Sequence, residues 1–155
     1  MFYDRYITWM ILPLYNEKAS SRLKMKMCTF LGHCVAWHGY RMRYILPQHP
    51  IIWTTVLGLL KMSDSEQSLG RNGRWHEVQR TSFLLVAAVR FLEDCVCQVP
   101  RKVSSGRDTA YHRQLLSNNM LAPVLQKLED LGERDNLVFS VILNLLSWIR
   151  TVSGV

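Results

Sequence analysis

Two cysteines and two histidines lie within eleven residues of each other in the first third of the chain. Cys28, His33, Cys34 and His38 are residue types that bind zinc. The apolar residues around them recur at helical spacing, and on one continuous helix these side chains point in different directions, with only Cys34 and His38 well aligned on one face. We therefore favour buried thiols and hydrogen-bonded histidines over a zinc site and expect no bound metal.

The other reactive pairs in the sequence are excluded by the same geometry. Cys95 and Cys97 would point to different sides of a helix, which argues against a redox pair. Glu93-Asp94 and Glu129-Asp130 are adjacent carboxylates that diverge by about 100° on a helix and are normally solvated. No nucleotide-binding, metalloprotease or serine-hydrolase motif occurs in the sequence. The sequence therefore predicts neither an enzyme nor a bound cofactor.

The composition is that of one folded domain. The chain has 155 residues, of which 48% are hydrophobic and 20% are charged, so enough apolar surface is present to offset the entropy of the chain. Lys and Arg number 19 against 12 Asp and Glu, and the net charge is +7. This charge favours acidic partners without implying nucleic acid by itself.

No segment of the sequence has the character of a membrane span or a signal peptide. The least charged long stretch, residues 44–60, contains two prolines and a histidine and is shorter than the roughly 20 apolar residues that span a bilayer. Asp4 precedes the apolar segment 6–15, and no clean small-x-small cleavage site follows it. The four cysteines lie in apolar helical patterns, which is typical of reduced, buried thiols in an intracellular protein.

Apolar residues recur at spacings of three and four along almost the whole chain, which predicts an all-α protein. Two polar stretches, residues 63–78 and 100–107, are predicted to be surface loops. Pro13 is expected to bend or break the first helix. The predicted helices cover residues 2–14, 20–38, 40–46, 50–62, 80–99, 108–117, 118–131 and 135–151.

The predicted helices follow a repeated order of a short, a middle and a long helix. The order occurs once from Tyr40 and again from Tyr111, and it is typical of an armadillo triplet. The separation of 71 residues exceeds the roughly 40–47 of armadillo and HEAT repeats, and the two loops account for the excess. Residues 2–38 supply the later helices of an earlier copy. We predict one armadillo/HEAT-like helical-repeat solenoid over residues 1–155, with about two and a half repeats, as part of a longer solenoid.

A stack of such triplets places the third helices side by side, so that their polar faces line a concave groove. Asparagine on such a face can hold an extended peptide backbone through its donor and acceptor. The alternative is that these residues are only solvated, with Arg90 in a salt bridge between helices or packed along its stem. The predicted partner-binding groove consists of Lys26, His33, Trp37, Arg90, Asp94, Asn136, Ser140 and Asn144.

Several short segments, in order and spacing, resemble one protein family. The segments are Ala88-Val89-Arg90-Phe91, Tyr111 to Leu116, Asn119 to Val124, Arg134 to Leu137 with Ser140, Ile149 and Arg150, and earlier His38-Gly39-Tyr40 with Tyr44-Ile45. They resemble the SMEK domain, the helical-repeat region of regulatory subunit 3 of protein phosphatase 4, also known as the Falafel family. The sequence departs from the family at Asn144, where the family often has an acidic residue, and both predicted loops look enlarged.

The resemblance implies a non-catalytic regulatory and scaffold subunit that targets a Ser/Thr phosphatase to its substrates in the nucleus and cytoplasm. The implied partners are the protein phosphatase 4 catalytic subunit, its other regulatory subunit and phosphoprotein substrates. The alternative function is that of a basic helical-repeat protein that binds nucleic acid or another polyanion. It is less favoured because no helix carries basic residues along one side. The basic clusters are Arg41 with Arg43, Arg71 with Arg74 and Arg80, and Arg101 with Lys102 and Arg107.

Overall fold

The computed structural model describes residues 2–16, 18–61, 74–97, 110–131 and 137–153. Every regular element within these ranges is helical, which confirms the predicted all-α class. The count of about two and a half repeats stays a prediction. The elements are α1 (Phe2–Ile11), a 3-10 turn (Leu12–Tyr15), α2 (Ser21–Ile45), a second 3-10 turn (Leu46–Gln48), α3 (Pro50–Lys61), α4 (Arg74–Cys97), α5 (Ala110–Ser117), α6 (Leu121–Leu131) and α7 (Leu137–Ser153).

Helix α2 joins the second and third predicted helices across a kink. Ser20 caps its start, since the Ser20 hydroxyl accepts a hydrogen bond from the Leu23 backbone N–H at 3.3 Å. At His38 the backbone leaves helical geometry, with φ −133° and ψ 34°, at the position where the prediction ended a helix. The Tyr111 hydroxyl donates to the Gly39 carbonyl oxygen at 2.7 Å and so ties the kink to α5. The predicted interruption is therefore present as a kink, and no loop separates the two parts.

A proline in each of the two 3-10 turns explains why the turn occurs there. Pro13 lies in the first turn and Pro47 in the second, and proline interrupts an α-helix because it lacks a backbone N–H and clashes with the preceding turn. The predicted breaks at these two residues are confirmed. Trp53 of α3 fixes the second turn, because its indole nitrogen donates to the Leu46 carbonyl oxygen at 3.3 Å from a position that is 1% exposed.

Helix α4 begins earlier than predicted. It starts at Arg74, so residues 74–78 of the predicted loop 63–78 are helical. Gly73 is the last residue before α4 that disfavours a helix, and the polar residues after it do not by themselves stop one. The rest of that predicted loop and the predicted loop 100–107 lie outside the described residues.

Asn118 and Asn119 end α5, whereas the sequence predicted that one of them caps α6. Asn119 has a φ of 50°, in the left-handed region. Its N–H donates to the Leu116 carbonyl oxygen at 3.0 Å, and the Met120 N–H donates to the Leu115 carbonyl oxygen at 3.0 Å. These two hydrogen bonds form a Schellman motif, which satisfies carbonyls at the end of the helix. Asparagine can either cap the start of a helix or adopt the left-handed conformation at its end. The backbone geometry of Asn119 shows that it ends α5.

Helix α4 lies at the centre of the described structure. The long helices α2 and α7 pack on either side of it, α3 contacts both α4 and α6, and α6 contacts α7. Residues 84–89 of α4 are all buried, as expected for a helix that is covered on several sides. A Cβ atom added at Gly32 of α2 would lie 2.5 Å from the Asp94 carboxylate, so the α2 backbone passes very close to α4. This packing is consistent with a helical repeat.

Replacement of Leu145 by alanine tests the core between α4 and α7. Leu145 is fully buried, so Leu145→Ala is expected to lower the free energy of unfolding by about 2–5 kcal/mol, measured by urea denaturation. Leu143→Ala is the matched control on the same helix, because Leu143 is 44% exposed and its truncation leaves no cavity. Equal losses in the two variants would contradict this packing.

Candidate partner-binding groove

An open groove of about 920 Å³ lies where α2, α4 and α7 meet. Its floor is mostly apolar, and charged and polar side chains lie along it. The lining residues are Met25, Cys28, Thr29 and His33 of α2, Phe83, Val86, Ala87, Arg90, Phe91, Glu93 and Asp94 of α4, and Leu137, Ser140, Val141 and Asn144 of α7.

The structure brings five of the predicted groove residues together: His33, Arg90, Asp94, Ser140 and Asn144 all line this groove. They come from three helices that are far apart in the sequence. The prediction that these residues share a surface therefore agrees with the geometry. Their role in binding a partner stays a prediction.

Of the other three predicted residues, Lys26 and Trp37 are not among the described residues that line the groove. The groove face of α2 follows a row of residues four apart, Met25, Thr29 and His33. Lys26 is one residue beyond Met25 and is therefore turned by about 100°. Trp37 would continue the row, but it is followed at once by the kink, and its side chain is 81% exposed without lining the groove. Asn136 lies outside the described residues.

From the contacts and the lining residues we infer that all three helices run in the same direction along the groove. The Asn144 amide nitrogen of α7 donates to the Glu93 carboxylate of α4 at 2.5 Å. From this contact the groove continues toward the start of both helices, to Phe83 on α4 and to Leu137 on α7. If α4 and α7 were antiparallel, the residues that precede Glu93 and those that precede Asn144 would lie on opposite sides of this contact. The same holds for α2, since Gly32 lies beside Asp94 and the lining residues of α2 precede or directly follow it.

The groove consequently has an apolar end and a polar end. Phe83 and Leu137 form the apolar end, and their side chains are 54% and 52% exposed, respectively. Sequence analysis missed both as groove residues, although Phe83 precedes Arg90 by two helical turns, as Leu137 precedes Asn144. That spacing is the signal by which they could have been found. Exposed large apolar side chains that line a concave surface are typical of binding sites.

Glu93 joins α4 to α7 at the polar end. It accepts hydrogen bonds from the Asn144 amide and from the Trp148 side chain, both on α7. Sequence analysis treated Glu93 only as half of a solvated carboxylate pair, because its partners on α7 are remote in the sequence. Asn144 therefore has a structural contact with Glu93 in addition to the predicted partner contact.

The two carboxylates of the polar end are partly shielded from water. Burial raises the pKa of Glu93, and Arg90 together with the Trp148 hydrogen bond opposes this shift. Burial also raises the pKa of Asp94, and the neighbouring charge of Glu93 raises it further, while His33 and Arg90 lower it. The opposing groups do not outweigh burial, so the negative charge of these two carboxylates is incompletely compensated.

The thiols in and near the groove are protonated structural groups. Burial raises the pKa of Cys28, which lines the groove, to about 12, and burial also raises the pKa of Cys95. A thiol with so high a pKa is a poor nucleophile at neutral pH. The four cysteines form no disulfide, and three of them are buried while Cys97 is partly exposed. In the described ranges no three Cys, His, Asp or Glu side chains gather into a metal site.

The described structure contains only part of the predicted basic clusters. The Arg43 guanidinium lies 4.1 Å from the ring centre of Tyr40 and 4.6 Å from that of Tyr44, and it donates to the Tyr44 hydroxyl at 2.6 Å. This stacking holds the guanidinium against the rings. Arg71, Arg101, Lys102 and Arg107 lie outside the described residues, and Arg74 and Arg80 belong to α4.

None of the helices described has the length and apolar character needed to cross a bilayer.

The described helices define an all-helical protein with long helices stacked side by side, an arrangement that is consistent with helical-repeat proteins and that leaves an open groove between α2, α4 and α7. A family model described as phosphatase 4 regulatory subunit 3 matches residues 1–153. The chain therefore belongs to the phosphatase 4 regulatory subunit 3 family, and the resemblance to the SMEK domain is confirmed. This is a family of regulatory subunits of a phosphatase. No solved structure matches the chain.

Replacing the two groove carboxylates by their amides tests their electrostatic environment. A carboxyl group with a raised pKa binds its proton more tightly in the folded chain, so it opposes folding as the pH rises through the raised value. We expect the free energy of unfolding of Glu93→Gln/Asp94→Asn, relative to the unchanged chain, to increase as the pH rises above the ordinary values of 4.5 and 3.8. Urea denaturation across this pH range measures the difference.

The matched control is Glu129→Gln/Asp130→Asn, which makes the same changes at an exposed pair on α6. This control measures how the loss of two negative charges by itself changes the free energy of unfolding. A relative stability that falls with rising pH in the groove variant would show that these carboxylates are stabilised in their charged form, contrary to their described environment.

Proposed function

We propose that the chain is a non-catalytic scaffold of protein phosphatase 4, whose groove holds a segment of a phosphoprotein substrate close to the catalytic subunit. The single observation that carries this proposal is the convergence of α2, α4 and α7 on one open groove with an apolar floor and polar edges. Membership in a family of phosphatase regulatory subunits supports the assignment of the partner.

The scaffold acts by raising local concentration. Once one part of a substrate lies in the groove, its encounter with the catalytic subunit becomes intramolecular, and the effective concentration depends on the length of chain between the two sites. The apolar end of the groove would accept a large apolar side chain. Ser140 and Asn144 would face the backbone or polar side chains of the bound segment.

The remaining parts of the proposal concern the assembly. The catalytic metals would belong to the phosphatase catalytic subunit, and the other regulatory subunit would complete the complex. The resemblance of the sequence to the family supports both partners and an activity in the nucleus and cytoplasm.

Removal of the apolar end of the groove tests the proposal. Phe83→Ser/Leu137→Ser replaces two side chains that are more than half exposed, so the fold should persist. We expect phosphoproteins that co-purify with the unchanged chain to be lost from this variant, while the phosphatase catalytic subunit is recovered equally. Immunoblotting and quantitative mass spectrometry of purified complexes measure both.

The control is Leu116→Ser/Leu125→Ser, which removes two exposed leucines, 69% and 46% exposed, that do not line the groove. Circular dichroism and thermal melting verify the fold of each variant. Unchanged recovery of phosphoproteins, or loss of the catalytic subunit instead, would contradict a substrate-holding groove. Binding that depends steeply on salt and survives the groove variant would support the polyanion alternative.

A further inference from the structure

We propose that the groove selects an extended segment of a protein partner in which a lysine or arginine lies within about five residues of a large apolar side chain. The proposal rests on the function proposed above and adds the chemistry of the segment that is recognised.

The apolar end supplies the site for the anchor side chain. Phe83 and Leu137 are both more than half exposed, although each is large and apolar. Val86 and Val141, about one helical turn further along α4 and α7, also line the groove. An apolar side chain placed here would remove both exposed residues from water, and this burial is the main favourable contribution expected at the apolar end.

The polar end supplies the site for the cation. Glu93 and Asp94 both line the groove, and the charged or titratable groups near them are Arg90 and His33. Among the described lining residues, two carboxylates lie beside one guanidinium, so this end is negative by formal charge on a chain with a net charge of +7. Charge complementarity therefore favours a cationic side chain, and it disfavours a phosphate group, which the two carboxylates would repel.

The partial burial of the two carboxylates agrees with the choice of a cation as the bound group. Burial raises the pKa of both, and the charge of Glu93 adds to the shift of Asp94. A bound cation would stabilise the charged forms that burial disfavours. The neutral neighbours Asn144 and Trp148 donate hydrogen bonds to Glu93 and fix its position on the groove wall.

The distance between the two ends sets the spacing in the partner. Phe83 precedes Glu93 by ten residues on α4, which corresponds to about 15 Å along a helix. An extended chain covers about 3.3 Å per residue, so a segment that runs along the groove spans this distance in four or five residues.

The test is a selection of short peptides from a randomised display library against three forms of the chain. The forms are the unchanged chain, Glu93→Gln/Asp94→Asn and Phe83→Ser/Leu137→Ser. The amide variant keeps the shape of both side chains and retains an acceptor for Asn144. The control Glu129→Gln/Asp130→Asn removes the same two charges from an exposed position outside the groove.

We expect sequences selected on the unchanged chain to be enriched in lysine or arginine within about five residues of an aromatic or aliphatic residue. The amide variant should keep the apolar preference and lose the basic one, and the α6 control should keep both. For a selected peptide, replacing the basic residue by citrulline or norleucine should weaken binding to the unchanged chain about tenfold, as measured by fluorescence anisotropy.

The experiment has outcomes that contradict this inference alone and outcomes that also contradict the proposed function. Apolar enrichment without a basic preference would overturn the choice of a cation and leave a peptide-binding groove intact. Preference for acidic residues, or tighter binding when phosphoserine replaces the basic residue, would overturn it in favour of an anionic segment. If no sequence is enriched on the unchanged chain over the Phe83→Ser/Leu137→Ser variant, both the inference and the groove function are wrong.

Discussion

The burial of the middle part of α4 is the constraint on which the rest of the structure depends. From Leu84 to Val89 every residue is buried, so no side of this part of the helix can face water without exposing apolar surface. Helices α2 and α7 cover two sides, and α3 and α5 contact it as well. Gly32 allows the approach of α2, because it presents no Cβ atom to the Asp94 carboxylate. The groove runs along α4 from Phe83 to Asp94.

Much of the fold could be predicted because its signals are local. Apolar spacing located the helices, and Pro13 and Pro47 marked the interruptions, since proline breaks a helix whatever its surroundings. Other boundaries depend on context. Asn119 suits the start of one helix as well as the left-handed end of another, and only its φ of 50° distinguishes these roles. The predicted start of α4 is too late, because a polar sequence is not by itself a sign of a loop.

The groove could be predicted in part because residues three or four apart share a helical face. This rule placed His33, Arg90 and Asn144 on one surface, although the packing of the three helices was unknown. It failed for Trp37, which continues the spacing of the row from Met25 to His33 but does not line the groove. The kink directly after Trp37 depends on tertiary packing, which helical spacing cannot predict. It also missed the structural role of Glu93, whose partner Asn144 lies 51 residues away in the sequence. Local periodicity identifies faces, whereas contacts across helices require their relative positions.

The helices α2, α4 and α7 pack side by side, and nuclear Overhauser cross-peaks between them are the clearest experimental check of this packing. Cross-peaks are expected between the α protons of Gly32 and the α proton of Phe91, whose Cα lies 3.9 Å from the position of a Cβ at Gly32. Cross-peaks are also expected between the Asn144 side-chain amide and the Glu93 side chain. If the helical cross-peaks of these residues are assigned but both contacts between helices are missing, the packing and the groove that follows from it are contradicted.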